Sequence, residues 1–479
     1  GYAARREEMT NRLRASLAVL ASGVTIAGSV AAAAPASASP LLSDAAGIHV
    51  VSQRALDPRL LSLQVTTAAV AAPLDVRILL PDGYALNPHR RYPVLYLFDG
   101  TSGRAADWTT VGDAERTTAG LPVIVVMPDI TISGDGGGWC TNWVGAGPHG
   151  RPDWETFHIG QLIPWIDRGL RTNRSRSGRA IAGLSQGGFC SMSYAARHPD
   201  RFAAALSFSG APDTAYDPEA QAMVTPIINL TETGLDGAPL DSMFGSRLNN
   251  EINWAAHDPT TLAPNLRGMR LFMYAGNGAP GPLDTGIPNP QALIIEGGVS
   301  ELTRLFHNRL QSLGISSFYD PYGPGTHSWP YWARDLRESI GPLMDVFAHP
   351  PATPGSIDYT SADPSYSAFG WQVNVVRKVR EFSTLSSARA DGFTLQGSGS
   401  ATVRTPARYG RGVRLLVSVT SAQGTFPAFT RTVRVGRNHR LVVTVPLGPS
   451  NTGQEYPLDG PSLGTTVFTT RVSFVRARR

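Results

Sequence analysis

The sequence predicts an α/β fold with a mostly parallel central sheet, followed by a second, smaller all-β unit. Three observations predict it. Short apolar strand runs alternate with helical runs from about residue 60 to residue 347. A proline-rich break, "HPPATPGS", follows. Beyond it, apolar and polar residues alternate in short runs separated by Gly, Ser and Asn turns. A chain of 479 residues also fits two folded units better than one core.

In chain order, "LLSLQVTTAAV" and "LDVRILLP" read as strands. "RYPVLYLFDG" and "LPVIVVMP" are apolar runs of the kind buried on both faces of a sheet. "WETFHIGQLIPWIDRGL" has helical spacing. "RAIAGLS" is a strand, and "GGFCSMSYAARHPDRF" is a helix that stops near residues 198–199, at His-Pro. "AAALSFSG" and "RLFMYAG" are further strands. "GGVSELTRLFHNRLQSLG" is an amphipathic helix closed by Gly314, "SSFYDPY" a last strand, and residues 329–347 a last helix. The tail runs "GWQVNVV", "GFTLQGSGSATVRT", "RLLVSVT", "TRTVRV", "RLVVTVPL" and "TTVFTTRVSFV" suit an antiparallel sandwich of immunoglobulin-like type. There is no internal repeat.

The N-terminal stretch "NRLRASLAVLASGVTIAGSVAAAAPASASP" has two arginines, an apolar run from Leu17 to about Ala34, and the small-x-small end Ala36-Ser37-Ala38. It reads as a secretory signal cleaved after Ala38, with Met9 as the expected start. The expected division is a signal at 1–38, an α/β unit at 39–348, a linker at 349–356 and a basic β unit at 357–479. A secreted or envelope location follows. Export permits a disulfide between Cys140 and Cys190. A buried helix equally suits Cys190 as a free thiol, so the pairing stays open. No His/Cys cluster points to a metal.

Charge divides unevenly. Residues 351–479 carry 16 Lys and Arg against 6 Asp and Glu, a net of +10, which leaves −5 on residues 1–350. Basic charge attracts any polyanion. With no nucleic-acid motif in view, anionic envelope material is the expected partner and nucleic acid is not. A merely Arg-rich domain is the plain alternative.

The chemistry centres on "AGLSQGG". Gly183-x-Ser185-x-Gly187 lies between a strand and a helix, the setting of a nucleophile elbow. The helix N-terminus favours negative charge developing there. This context predicts an α/β-hydrolase fold with Ser185 as nucleophile. In that fold the order is Ser, acid, His. His327, in "GTHSWPYW", comes 142 residues later, after the last strand and before the last helix. His198 and His307 fall on helices, His149 and His158 precede the serine, His257 comes too early and His349 lies in the linker. His327 is therefore the expected base. Asp284, Glu296, Glu301 and Asp320 all qualify as the acid, and the loop after "RLFMYAG" favours Asp284. Two amides must hold an oxyanion. Gln186 follows the serine, and Thr101 in "FDGTSG" occupies the loop after an earlier strand.

Together, "LFDG", "VVMP", "WETF", "AGLSQGG", "HPDRF", "HDPT", "YAGNGAP" and "GTHSWPYW" resemble the antigen 85/mycolyltransferase family, from about residue 61 to residue 347. The resemblance implies acyl transfer of mycolic acids between trehalose esters or onto wall polysaccharide, without a cofactor. It implies Glu296 as the acid, at the start of its helix, and Asp99, Arg104, Ser328 and Trp329 as sugar-site residues. Trp329 and Trp332 equally suit anchoring of the last helix. The chain departs from the family in its "DGTSGRA" loop, which is two residues longer. It also lacks the short paired-cysteine loop, has Gln-Gly-Gly after the serine, and adds the basic tail. A secreted carboxylesterase with the same triad is the alternative.

Overall fold

The computed structural model describes residues 41–453 and 465–477. The expected signal segment lies outside the described residues. Nine strands form the main sheet: β1 (Ile48–Ala55), β2 (Leu60–Thr67), β3 (Leu74–Leu79), β4 (Val94–Phe98), β5 (Ile124–Pro128), β6 (Arg179–Leu184), β7 (Ala204–Phe208), β8 (Arg270–Gly276) and β9 (Phe318–Gly323). Their order is β1-β2-β3-β5-β4-β6-β7-β8-β9. The first three strands and the β3–β5 pair are antiparallel, and all pairs from β5 through β9 are parallel. The α/β-hydrolase architecture expected from the sequence is thus present. β1 and the antiparallel edge were not distinguished in the sequence.

Strands β4, β5, β6 and β7 are buried at every position. Successive side chains point to opposite faces, so one apolar run feeds two cores. Val94, Tyr96, Phe98, Ile124 and Val126 join one of these cores. Leu95, Leu97, Val125 and Met127 join the other.

Among the described residues, eight α-helices flank the sheet: α1 (Asp107–Thr110), α2 (Ala114–Thr117), α3 (Ile163–Gly169), α4 (Gln186–Arg197), α5 (Pro218–Leu230), α6 (Arg247–Ala255), α7 (Pro290–Ser312) and α8 (Trp329–Ala348). Apolar side chains of α3, α4 and α7 pack into the first core, and those of α8 into the second. The run ahead of α3 is a π-helical segment, Thr156–Leu162. Helix α7 begins seven residues before the expected Gly297. Asn289 accepts a hydrogen bond from Gln291 N at 3.0 Å, and Pro290 opens the first turn. Gly297-Gly298, which looks like a helix start, lies inside it. Among the described residues no helix is long and apolar enough to cross a membrane.

The tail adds β10 (Ile357–Ser361), β11 (Ser365–Ala368), β12 (Trp371–Val376), β13 (Ser383–Arg389), β14 (Gly392–Gly397), β15 (Gly399–Arg404), β16 (Arg414–Ser421), β17 (Phe429–Arg434), β18 (Val442–Gly448) and β19 (Phe468–Arg476). They form two antiparallel sheets, β10-β13-β14-β19-β16-β17 and β11-β12-β15-β18, with one core drawing on strands of both. The run "GFTLQGSGSATVRT" is two strands in different sheets. The chain crosses over at Gly397–Gly399, where Gly399 has φ 77° and a Cβ would meet Val376 O at 2.2 Å.

Candidate active site

The site stands at the C-terminal ends of the parallel strands, where β6 hands over to α4. Ser185 takes φ 51° and ψ −120°, a strained conformation for a non-glycine residue. Small neighbours make the elbow possible. A Cβ on Gly183 would come 2.2 Å from Gly187 O, and one on Gly187 would come 2.1 Å from Asp99 O. The turn aims Ser185 Oγ at His327 Nε2, 2.8 Å away. His327 Nδ1 lies 2.7 Å from Glu296 Oε2. Ser185, His327 and Glu296 thus form one hydrogen-bonded chain.

Glu296 is fully buried and its other oxygen is occupied. Oε1 accepts from Ser209 Oγ at 2.8 Å and from Gly276 N at 2.7 Å. These donors come from the ends of β7 and β8 and hold the carboxylate toward the imidazole. Glu296 sits about two turns into α7, not at its start. The later turn brings it under the His327 loop, where His327 N donates to Ala292 O at 3.1 Å.

The rival acids are occupied elsewhere. Asp284 accepts from Thr326 Oγ1 at 2.6 Å, Tyr331 OH at 2.9 Å and Gly281 N at 2.7 Å. It braces the residues on both sides of His327. Burial pushes its pKa up, and these three donors outweigh that and hold it below the usual value. Glu301 pairs with Arg304 (Oε2 to Nε, 2.8 Å), and Asp320 with Arg334 at 2.9 Å. The rival histidines are placed apart. His158 lies between Tyr194 OH and Asp129 O, and His198 faces Glu155.

The loop after β4 runs past the nucleophile. A Cβ on Gly100 would come 3.1 Å from Ser185 Cβ, which puts Thr101 beside the elbow. Gln186 opens α4, where the first amides have no intrahelical partner. Its side chain does work the sequence did not reveal. Nε2 donates to Thr101 Oγ1 at 3.0 Å and to Gly136 O at 2.9 Å, while Oε1 accepts from Trp139 N at 3.0 Å. Cys140, next to Trp139, is disulfide-bonded to Cys190 on α4. The bridge and Gln186 together clamp the 136–140 loop to the nucleophile helix.

The sugar-site candidates are spread more widely. Asp99 is buried; its Oδ1 accepts from Gly100 N at 2.7 Å and its Oδ2 has no hydrogen-bond partner. Burial raises its pKa well above the ordinary carboxylate range. Arg104 is exposed, with Nη1 3.4 Å from Ser133 O. Ser328 immediately precedes α8 without a side-chain bond to its first turn; its Oγ lies 3.0 Å from Thr326 Oγ1. Trp329 is half-buried, edge-on to both Trp108 and Trp332 at 5.3 Å, and Trp332 stands edge-on to His327 at 5.0 Å. Among the described residues no group of three or more His, Cys, Asp or Glu is placed to hold a metal ion.

Ile287, Ile294 and Ile295 are exposed on and before α7, and Ile227 and Leu230 on α5. The two helices approach where a Cβ on Gly298 would come 4.0 Å from Met223 Cε. Ile294 and Ile227 are each one turn from that approach.

Residues 67–342 match the family described as "Putative esterase". A Mycobacterium tuberculosis protein named "Esterase Rv1288" is 36% identical over 277 residues, 57% of this chain and 57% of the relative. The match therefore spans little more than half the length of that relative. "Diacylglycerol acyltransferase/mycolyltransferase Ag85B" of Mycolicibacterium smegmatis is 31% identical over 200 residues, 40% of this chain and 58% of that protein. The solved structure of Mycobacterium tuberculosis MPT51 (FbpC1) is 25% identical, covers 60% of this chain and 97% of its own, and has a TM-score of 0.46.

Proposed function

Because the chain belongs to the antigen 85/esterase-type family, we propose that it is a secreted serine acyltransferase. It moves mycolyl or similar long acyl groups between trehalose esters or onto envelope polysaccharide. The observation that carries this reading is the apolar surface exposed on α5 and on α7, the helix that supplies Glu296. A long acyl chain covers such a surface at a gain of about 0.8 kcal/mol per buried CH₂.

In this mechanism Ser185 Oγ attacks the ester carbonyl carbon while His327 Nε2 takes the hydroxyl proton. Glu296 accepts the Nδ1–H and stabilises the imidazolium. The backbone amides of Thr101 and Gln186 donate to the oxyanion. Collapse breaks the bond to the sugar oxygen, which leaves with the proton from His327. An acceptor sugar hydroxyl then gives its proton to His327 and attacks the acyl carbon, and the bond to Ser185 Oγ breaks as His327 returns the proton to that oxygen. Trp329 and Trp332 supply an apolar wall that disfavours water as acceptor.

The second reading is a secreted carboxylesterase that uses water in the last step. The burial of Asp99, only 3% exposed, favours it. One assay separates the two: purified protein with trehalose monomycolate and free trehalose, beside Ser185→Ala, with products read by mass spectrometry. Ser185-dependent diester or newly acylated trehalose supports transfer. Free mycolic acid alone supports the esterase. No Ser185-dependent product overturns both.

A further inference from the structure

The outer face of the six-stranded tail sheet has a site that acyl transfer does not use. Across the strands, Ser418 stands opposite Ser473 and Thr430, and Arg471 opposite Thr420 and Thr394. Directly opposed side chains share a face, so hydroxyls surround the Arg471 guanidinium. Phe393 and Val472 point into the core and leave a shallow floor. The depression encloses about 230 Å³ and is lined by Ser387, Thr394, Ser418, Thr420, Arg471 and Ser473.

Its rim is built rather than incidental. Strand β13 bulges between Ser386 and Arg389, and Ser387 takes φ 50° with its N–H donated to Asp358 Oδ1 at 2.8 Å. Bulges of this kind re-aim side chains. Six residues before Thr420, about 20 Å along β16 at the usual rise, Arg414 stands directly opposite Arg434. Like charges so placed destabilise a sheet. Among the described residues, Arg414, Arg434 and Arg471 have no ion-pair partner. Leu416 lies between the two basic positions, opposite Thr432 and Val475.

We propose that this face binds an anionic polysaccharide. Arg471 meets one acidic group, the Ser and Thr hydroxyls meet sugar hydroxyls, and Arg414 with Arg434 meets a second acidic group farther along the strands. The lining offers no exposed aromatic ring on which nucleic-acid bases would stack. Leu416 and Val475 are too small an apolar area to seat the protein on a bilayer.

The test uses the full chain and isothermal titration at about 20 mM salt, where screening is weak. Polygalacturonate is the probe, with neutral dextran and duplex DNA as comparators. Binding of polygalacturonate but not dextran is expected, weakened about tenfold by R471A and by R414A/R434A. The charge-matched R404A/R437A, outside the face, should leave affinity unchanged. Thermal midpoints that do not fall report intact folds, and S418V/S473V, which keeps the charge, should also weaken binding. Absence of polygalacturonate binding, an equal loss in R404A/R437A, or DNA binding with the same Arg471 dependence overturns the proposal.

Discussion

Arg197, the last residue of the helix that Ser185 begins, places Nη2 2.8 Å from Asp363 Oδ2 in the β tail. The same guanidinium pairs with Glu155 at 2.8 and 3.0 Å and donates to Ala256 O at 2.6 Å. Tyr359 OH donates to Arg197 O at 2.5 Å, and Asn265 exchanges hydrogen bonds with Thr360 at 2.9 Å. The tail is therefore fastened to the foot of α4 through buried and partly buried polar groups that hydrogen-bond one another.

Removing the cation from this junction should be severe. Arg197→Ala takes the bidentate cation from the buried Glu155, leaving it only His198 within hydrogen-bond distance, and leaves Asp363 to Arg380; breaking such a buried pair costs about 3–5 kcal/mol. Chemical denaturation with probes in both units should show that loss. Asp363→Asn keeps the Glu155 pair and should cost less. Burial raises the Asp363 pKa, and the charges of Arg197, His257 and Arg380 together outweigh it and hold the pKa below the ordinary value. The stability it contributes is complete above the unfolded pKa near 3.9 and is lost as pH falls through the lower folded value. Below about pH 4 the wild type should therefore lose its advantage over Asp363→Asn.

The choice of acid is testable by a pair of substitutions. Glu296→Gln should lower kcat for a p-nitrophenyl ester by about a thousandfold or more. The amide cannot stabilise the imidazolium and also disturbs the bonds from Ser209 and Gly276. Asp284→Asn only loosens the brace on Thr326 and Tyr331 and should cost about tenfold or less. The reverse ranking would put the acid at Asp284.

The Cys140–Cys190 bridge closes a loop with a sequence separation of 50, for which chain entropy predicts about 4 kcal/mol of stabilisation. Reduction, or the double alanine variant, should lower the thermal midpoint. It should also lower kcat, because the freed loop carries Gly136 and Trp139, the partners of Gln186. A midpoint shift with unchanged kcat would mean that the 136–140 loop has no part in the reaction.

Asp236 supplies a pH signature. Burial and the neighbouring Asp135 raise its pKa to about 8. Oδ1 accepts from Gly137 N at 3.0 Å, and Oδ2 is buried without a hydrogen-bond partner. The folded state holds a proton here that the unfolded state releases near pH 4, so this group's contribution falls as pH rises from about 4 to about 8. Asp236→Asn, always neutral, should be the more stable protein above pH 8 and should flatten the alkaline decline in urea midpoints.

Most of the α/β unit was legible. Fully apolar runs such as "LPVIVVMP" have one stable use, a strand buried on both faces. The elbow announced itself because only small residues fit around Ser185. Helices α5 and α6 were not legible: Pro226 interrupts the first, and Asn250 kinks the second out of helical geometry, so neither has a clean periodicity. The start of α7 was misplaced because a Gly-Gly pair inside a helix carries the same local signal as a boundary.

The sequence by itself determined the strand alternation, the elbow at Ser185, the position of His327 before the last helix and the basic β tail. These follow from local rules: apolar periodicity, glycine spacing and composition act over neighbouring residues. Only the tertiary structure brought Glu296, which the resemblance implied and the local sequence did not favour over Asp284, against His327, and only it decided that Cys140 reaches Cys190, that Gln186 ties Thr101 to the 136–140 loop and that Arg197 fastens the tail. Each joins residues 31 to 166 positions apart. Distances across such separations depend on how layers pack, and no single segment encodes them.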